Sequence, residues 1–174
     1  MILSQALDIA NRVRDQLAPH CQQIEIAGSI RRKRPEVKDI EIVAIPKPYD
    51  VGLFASGIAT IVQQWPKVKG ELPCKYTQRI ILPEKIKLDL FFAEPGNWGL
   101  IYAIRTGSAD YSHKVLAHSW VVKGYHSKGG WLHKSGRPIA VPTEEHLFKL
   151  CGLTYRDPEN REHYESLQQF ITNL

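Results

Sequence analysis

Three acidic residues, Asp39, Glu41 and Asp89, stand in segments that are otherwise apolar and β-prone. In DIEIVAI, residues 39–45, acid and apolar residues alternate with period two. A strand there carries Asp39 and Glu41 on one face and Ile40 and Ile42 on the other, and the acidic face does not point into a core. Asp89 lies within the apolar, β-prone run LDLFF, where a charge is expensive unless it is paired or meets a cation. If the two strands lie side by side, three carboxylates converge. An all-oxygen set of that kind suits Mg²⁺, which keeps several waters and completes its shell with substrate phosphates. Two such ions about 3.5–4 Å apart clamp the attacking and leaving oxygens of an in-line phosphoryl transfer, and i, i+2 spacing on a strand can supply a bridging carboxylate.

Positive charge sits just upstream. Gly28 and Ser29 open a small-residue turn that runs into Arg31, Arg32 and Lys33 before the acid pair. Backbone amides and a hydroxyl at such a turn can receive phosphate oxygens while the basic side chains neutralise them. Taken alone, an acid pair beside arginines is also how an ordinary solvated sheet face reads. The joint pattern is what separates the two readings: helix, strand, Gly-Ser, an acid pair on a strand, and a third acid on a later strand.

The elements that must position these residues are legible by periodicity. Ile2, Leu3, Ala6, Ile9, Ala10, Val13 and Leu17 recur at steps of three and four, which predicts an amphipathic helix ending before Pro19. QIEIAGS predicts a strand closed by a turn at Gly28 and Ser29. YTQRIIL and EKIKLDLFFA predict two more strands joined at Pro83-Glu84, with a short helix over GLFASGIATIVQQW before them. Residues 1–94 thus read as an α+β lobe with helices on one side of a mostly antiparallel mixed sheet. From residue 95 the pattern changes to a smaller α+β lobe. WGLIYAIRTGS and ADYSHKVLAHSWVVKG read as helices, and GYHSKGGWLHKSGRPIAV as a Gly-punctuated hairpin. TEEHLFKLCG reads as a helix with Thr143 at its N-cap and Gly152 past its end.

A chain of 174 residues can bury one core or two small lobes. Its net charge of +5 and pI near 9.1 favour polyanionic partners without demanding them. Cys21, Cys74 and Cys151 are odd in number and far apart, which predicts no disulfide framework and a reducing, cytoplasmic setting. No apolar run is long enough for a membrane span and no leader pattern opens the chain. His113 and His118, five apart, fall on different faces of an α-helix and read as surface residues. Trp98, Tyr102 and Trp120, at helical spacing, read as core.

Four stretches together carry a resemblance: GSIRRKRPEVKDIEIV (28–43), KLDLFF, IRTGS (104–108) and PTEEHLFKLCGLTYRDPENRE. They resemble the family X DNA polymerases, the polymerase beta-like group of the nucleotidyltransferase superfamily, in the family's order and spacing over most of residues 24–162. The resemblance implies a nucleotidyltransferase palm at 1–94. At 95–174 it implies a nucleotide-selecting, DNA-binding lobe like the polymerase beta thumb. It implies that Asp39 and Glu41 bind both metals, Mg²⁺ or Mn²⁺, and that Asp89 binds the catalytic metal and helps activate a primer 3'-hydroxyl. Gly28, Ser29 and Arg32 would contact the triphosphate, and Arg105, Thr106, Gly107 and Ser108, with Ser112 one turn on, the sugar and base. The implied activity is templated nucleotide addition at short gaps in DNA repair, on a gapped or primer-template duplex, by a protein that needs to be no more than a monomer.

Three departures stand out. Glu41 replaces the family's usual Asp, Ile104 and Arg105 replace an aromatic pair that often screens the sugar 2' position, and no lyase or helix-hairpin-helix lobe is present. The duplex would then be gripped mainly through phosphates, with Lys114, Lys123, Lys128, Lys134 and Arg137 as candidates. Two other readings remain: a nucleotidyltransferase with a protein or small-molecule acceptor, and a DNA-binding relative without catalysis.

Overall fold

The computed structural model describes residues 1–48, 57–70, 72 and 76–162. It is an α+β fold that divides into two compact units, Met1–Glu94 and Pro95–Leu174. Among the described residues no helix is long and apolar enough to cross a membrane.

The first unit runs α1 (Leu3–Leu17), β1 (Cys21–Ile26), α2 (Gly28–Arg31), β2 (Asp39–Pro46), α3 (Ile58–Val62), β3 (Lys67–Gly70), β4 (Tyr76–Ile81) and β5 (Ile86–Phe92). Its sheet has the order β1-β2-β5-β4-β3. β2 and β5 pair in parallel and the other neighbours antiparallel, so the sheet is mixed. In α1, Ala6, Ile9, Ala10, Val13 and Leu17 are all buried, and the helix gives way to a 3₁₀ turn, Ala18–His20, at Pro19. Ile2 departs from the predicted stripe: it is 57% exposed and pairs its backbone with Glu36.

The core of this unit joins those α1 residues and Ile58 and Val62 of α3 to Ile40, Ile42, Leu88 and Leu90. Ile40, Ile42, Leu88 and Leu90, each 0% exposed, contribute about 1.5–3 kcal/mol apiece by leaving water. Both helices therefore cover one face of the sheet. The alternation of strands then sends residues 39, 41, 87 and 89 to the other face. Two local expectations change. The Gly28–Ser29 turn is wound into the one-turn helix α2, and the strand β3, KVKG, was not anticipated because its side chains are mostly exposed and show no apolar alternation. In the predicted helix before β3, residues 52–56 lie outside the described residues.

The second unit contains α4 (Trp98–Thr106), α5 (Ala109–Tyr111), a π-helical segment (Ser112–Ala117), α6 (His118–Val122), strands β6 (His126–Lys128), β7 (Trp131–Lys134) and β8 (Arg137–Ile139), and α7 (Glu144–Cys151). Its core gathers Leu100, Tyr111, Leu116, Trp120, Leu132, Leu147 and Phe148. Trp98 and Trp120 are buried, and Tyr102 lies half-buried against Trp98 with ring centroids 5.1 Å apart.

The predicted hairpin is a three-stranded antiparallel meander, β6-β7-β8. Gly129-Gly130 and Ser135-Gly136 each supply two consecutive positive φ angles, which the tight twisted two-residue turn requires. Thr143 caps α7 by accepting a hydrogen bond from the His146 amide at 3.2 Å, and Gly152 ends it at φ 70°. The π-helical segment overturns the reasoning about His113 and His118. The His118 amide donates to the His113 carbonyl, so the two residues stand one π-turn apart rather than on opposed α-helical faces. Both are exposed.

Candidate active site

The parallel register of β2 and β5 places Glu41 directly beside Asp89, with Asp39 beside Lys87. All four lie on the sheet face opposite the helices. Asp89 is 8% exposed, and the next strand explains how a carboxylate is tolerated there. Gln78 on β4 is its register partner, and the Gln78 Nε2 donates to Asp89 Oδ1 at 2.8 Å. The Tyr76 hydroxyl donates to the same oxygen, while its ring stacks on Phe91 at 4.9 Å. Hydrogen bonds to an ionised acceptor are roughly twice as strong as neutral ones, so Oδ1 is firmly held.

Asp39 is half-buried, and its carboxyl is pushed above the usual carboxylate range, first by burial and next by the negative charge of Asp89. Lys87, Lys38 and Arg32 pull in the opposite direction but do not prevail. Asp39 thus carries a burial cost together with the charge of Asp89, and the nearby cations do not offset the two combined.

Glu41 is turned toward the Gly28–Ser29 segment. A Cβ at residue 28 would lie 1.9 Å from Glu41 Oε2, and Gly28 has φ +60°. The positive φ favours glycine there, and any side chain would have to displace the Glu41 carboxylate. The Ala27 amide donates to the Glu41 carbonyl at 2.8 Å, which ties α2 to the start of β2. Ser29 Oγ is enclosed without a hydrogen-bond partner in the protein, an uncommon state for a buried hydroxyl. Arg32 follows at the end of α2, near enough to Asp39 to lower its carboxyl.

Among the described residues no three His, Cys, Asp or Glu side chains are gathered as a metal-holding group. The reason is visible in the acid triad itself: Glu41 faces Gly28, and Asp89 Oδ1 is engaged by Tyr76 and Gln78. The donor chemistry nonetheless fits a divalent cation. Asp39 and Asp89 present oxygens whose repulsion a cation would relieve.

In the second unit the residues expected at the nucleotide sit at one helix junction. Arg105 and Thr106 end α4, Gly107 follows, and Ser108 is the N-cap of α5. Ser108 Oγ accepts from the Tyr111 amide at 3.0 Å and donates to the Glu162 carbonyl at 2.5 Å. Ser112 Oγ donates to the Ile104 carbonyl at 2.8 Å. Both hydroxyls therefore shape the junction itself.

The five basic candidates have different local surroundings. Lys114 is ion-paired with Asp110 at 2.6 Å. Lys123 lies over Gly152, its Nζ 3.1 Å from where a Cβ would stand, at the carbonyl end of α7. Lys128 shares a sheet face with Trp131. Lys134 and Arg137 are register partners, and Lys134 lies 4.6 Å over the Tyr125 ring.

No protein-family model and no curated protein matches this chain. Tyr76 and Gln78 escaped the sequence reading. Their signal, a hydroxyl and an amide at alternate positions of YTQRIIL, acquires meaning only once the β4–β5 register is known.

Proposed function

We propose that this chain is a nucleotidyltransferase of the family X DNA polymerase type, whose first unit is the palm and whose substrates are a nucleoside triphosphate and a DNA primer 3' end. The observation that carries this reading is the parallel β2–β5 register, which sets Asp89 beside Glu41 on the helix-free face with Asp39 two residues before it. The closeness of Glu41 to Gly28 supports it, because acid pair and Gly-Ser segment form one local structure.

In this reading each residue has a task. Asp39, Glu41 and Asp89 hold divalent ions that, when bound, ease deprotonation of the 3'-hydroxyl and neutralise charge on departing pyrophosphate. Because Tyr76 and Gln78 occupy Asp89 Oδ1, the other carboxylate oxygen is left to orient the primer hydroxyl. Arg32 balances triphosphate charge, and Ser29 contributes a hydroxyl that the protein leaves unused. Arg105, Thr106, Gly107, Ser108 and Ser112 are assigned to the sugar and base, with the two serines acting through the shape of the junction they build. Catalysis is then positioning plus electrostatic stabilisation.

Primer extension on a one-nucleotide-gapped duplex with Mg²⁺, comparing each dNTP with its NTP, tests the proposal. Templated addition by the wild-type chain is expected, reduced by roughly 10²–10⁴-fold in Asp89→Ala. Wild-type-like incorporation by the variant, or none by folded wild type, would overturn it.

A further inference from the structure

The outer face of the β6-β7-β8 meander is not used by the proposed chemistry. The inner face supplies Leu132 and Ile139 to the core. On the outer face the register sets His126 beside His133, His133 beside Pro138, and Lys128 beside Trp131. The two imidazoles stack with centroids 5.3 Å apart and planes 21° from parallel. Together these side chains line an open groove of about 560 Å³, within the size range of sites that hold small planar groups. His133 Nδ1 is buried there with no hydrogen-bond partner.

Charge singles out the occupant. No Asp or Glu stands between Asp110 and Glu144, and of the basic residues in that stretch Lys128 lines the groove. A groove walled by flat aromatic faces, with a lysine and no carboxylate in its lining, matches a polyanion that carries flat rings. Unpaired bases stack on such surfaces regardless of sequence while lysines follow the phosphates.

We propose that this groove is a stacking platform for unpaired DNA, with Trp131, His126 and His133 receiving bases and Lys128 a phosphate. The choice of DNA rests on the proposed function, whose primer-template substrate carries an unpaired template strand. The platform itself requires neither metal nor turnover.

The test is fluorescence anisotropy of the full chain with a labelled ten-nucleotide oligothymidine, against a ten-unit abasic strand with the same phosphates. Stacking predicts about tenfold or greater preference for the strand with bases. His126→Ala, at an exposed position, and Trp131→Ala should each cut that preference severalfold. Trp131→Phe, which keeps a ring over Gly96 where the indole now lies, should retain most of it. Equal binding of the two strands, or a preference unmoved by both alanine variants, would overturn the proposal. The same measurement on Asp89→Ala separates this inference from the catalytic one. An unchanged preference is expected there, and it would stand even if the wild-type chain extended no primer.

Discussion

Glu144 and Arg161 in the second unit, and Asp39 and Asp89 in the first, are buried or half-buried charges with opposite fates. Arg161 is fully buried, and its guanidinium meets Glu144 Oε1 at 2.5 Å and donates to the Arg156 carbonyl at 2.8 Å. It also lies about 5 Å from the ring centres of Phe148 and Tyr155. Asp39 and Asp89, by contrast, are like charges that burial sets against each other. The buried opposite pair neutralises its charge while leaving Arg161 Nη2 without a hydrogen-bond partner, whereas the like pair keeps two negative charges close together. Under the proposed function the difference is that between a structural clasp and a site, since perturbed carboxyls gather where ligands bind.

The largest effect tests the clasp. Arg161→Ala leaves Glu144 buried without its cation, which costs about 3–5 kcal/mol. Because the Ser108 amide donates to the Arg161 carbonyl and the Ser108 hydroxyl to the Glu162 carbonyl, the α4–α5 junction should loosen as well. Urea denaturation should show the loss, and replacing Glu144 together with Arg161 by apolar residues should recover much of it. A small loss in Arg161→Ala would mean that the pair is not the clasp that its burial implies.

A smaller effect probes how the site holds its third acid. Tyr76→Phe removes one hydrogen bond to Asp89 Oδ1 and keeps the ring stacked on Phe91. Under the proposed function, kcat for primer extension falls about tenfold, in keeping with about 1.5–3 kcal/mol for a hydrogen bond to a charged group, while KM for the nucleotide stays put. A change in KM alone would make Tyr76 a structural residue with no part in positioning Asp89.

How much of this was legible before folding differs by region for physical reasons. Period-3.6 burial in α1 follows from local geometry and could be read directly, whereas in β2 the alternation holds over Asp39–Ile42 and then gives way to Val43, Ala44 and Ile45, all buried, so the acidic face is partly exposed only at its start. The Thr143 and Gly152 helix ends are equally local. The parallel pairing of β2 with β5 is a long-range choice, and the roles of Tyr76 and Gln78 depend on it. The π-helical segment rearranged His113 and His118 because nothing in SHKVLA distinguishes an i→i+5 turn from an α-helical one. Trp131 was passed over because only strand register reveals that it shares a face with Lys128 and the stacked histidines.

The smallest effect returns to the like-charged pair and carries a definite sign. The carboxyl of Asp39 has its pKa raised above 3.8 in the folded chain, so between 3.8 and that raised value the native state holds more protons than the unfolded one. Stability therefore falls as pH rises through this window, and at pH 7 the full penalty of ionising Asp39, half-buried and beside Asp89, is present. Asp39→Asn removes that penalty, so the metal-free variant should melt slightly above the wild type at pH 7. The advantage should shrink as pH drops through the window and vanish below 3.8. Mg²⁺ should reverse the order, because a ligand that binds only the native state stabilises it by about 2.7 kcal/mol at a hundred times its Kd, and the variant lacks one of the oxygens that would hold the ion. Thermal melts of both proteins at pH 7 and pH 4, with and without Mg²⁺, check each arm. A variant that melts below the wild type at neutral pH without metal would show that Asp39 is satisfied by Lys87, Lys38 and Arg32, and the contrast with Glu144 and Arg161 would then dissolve.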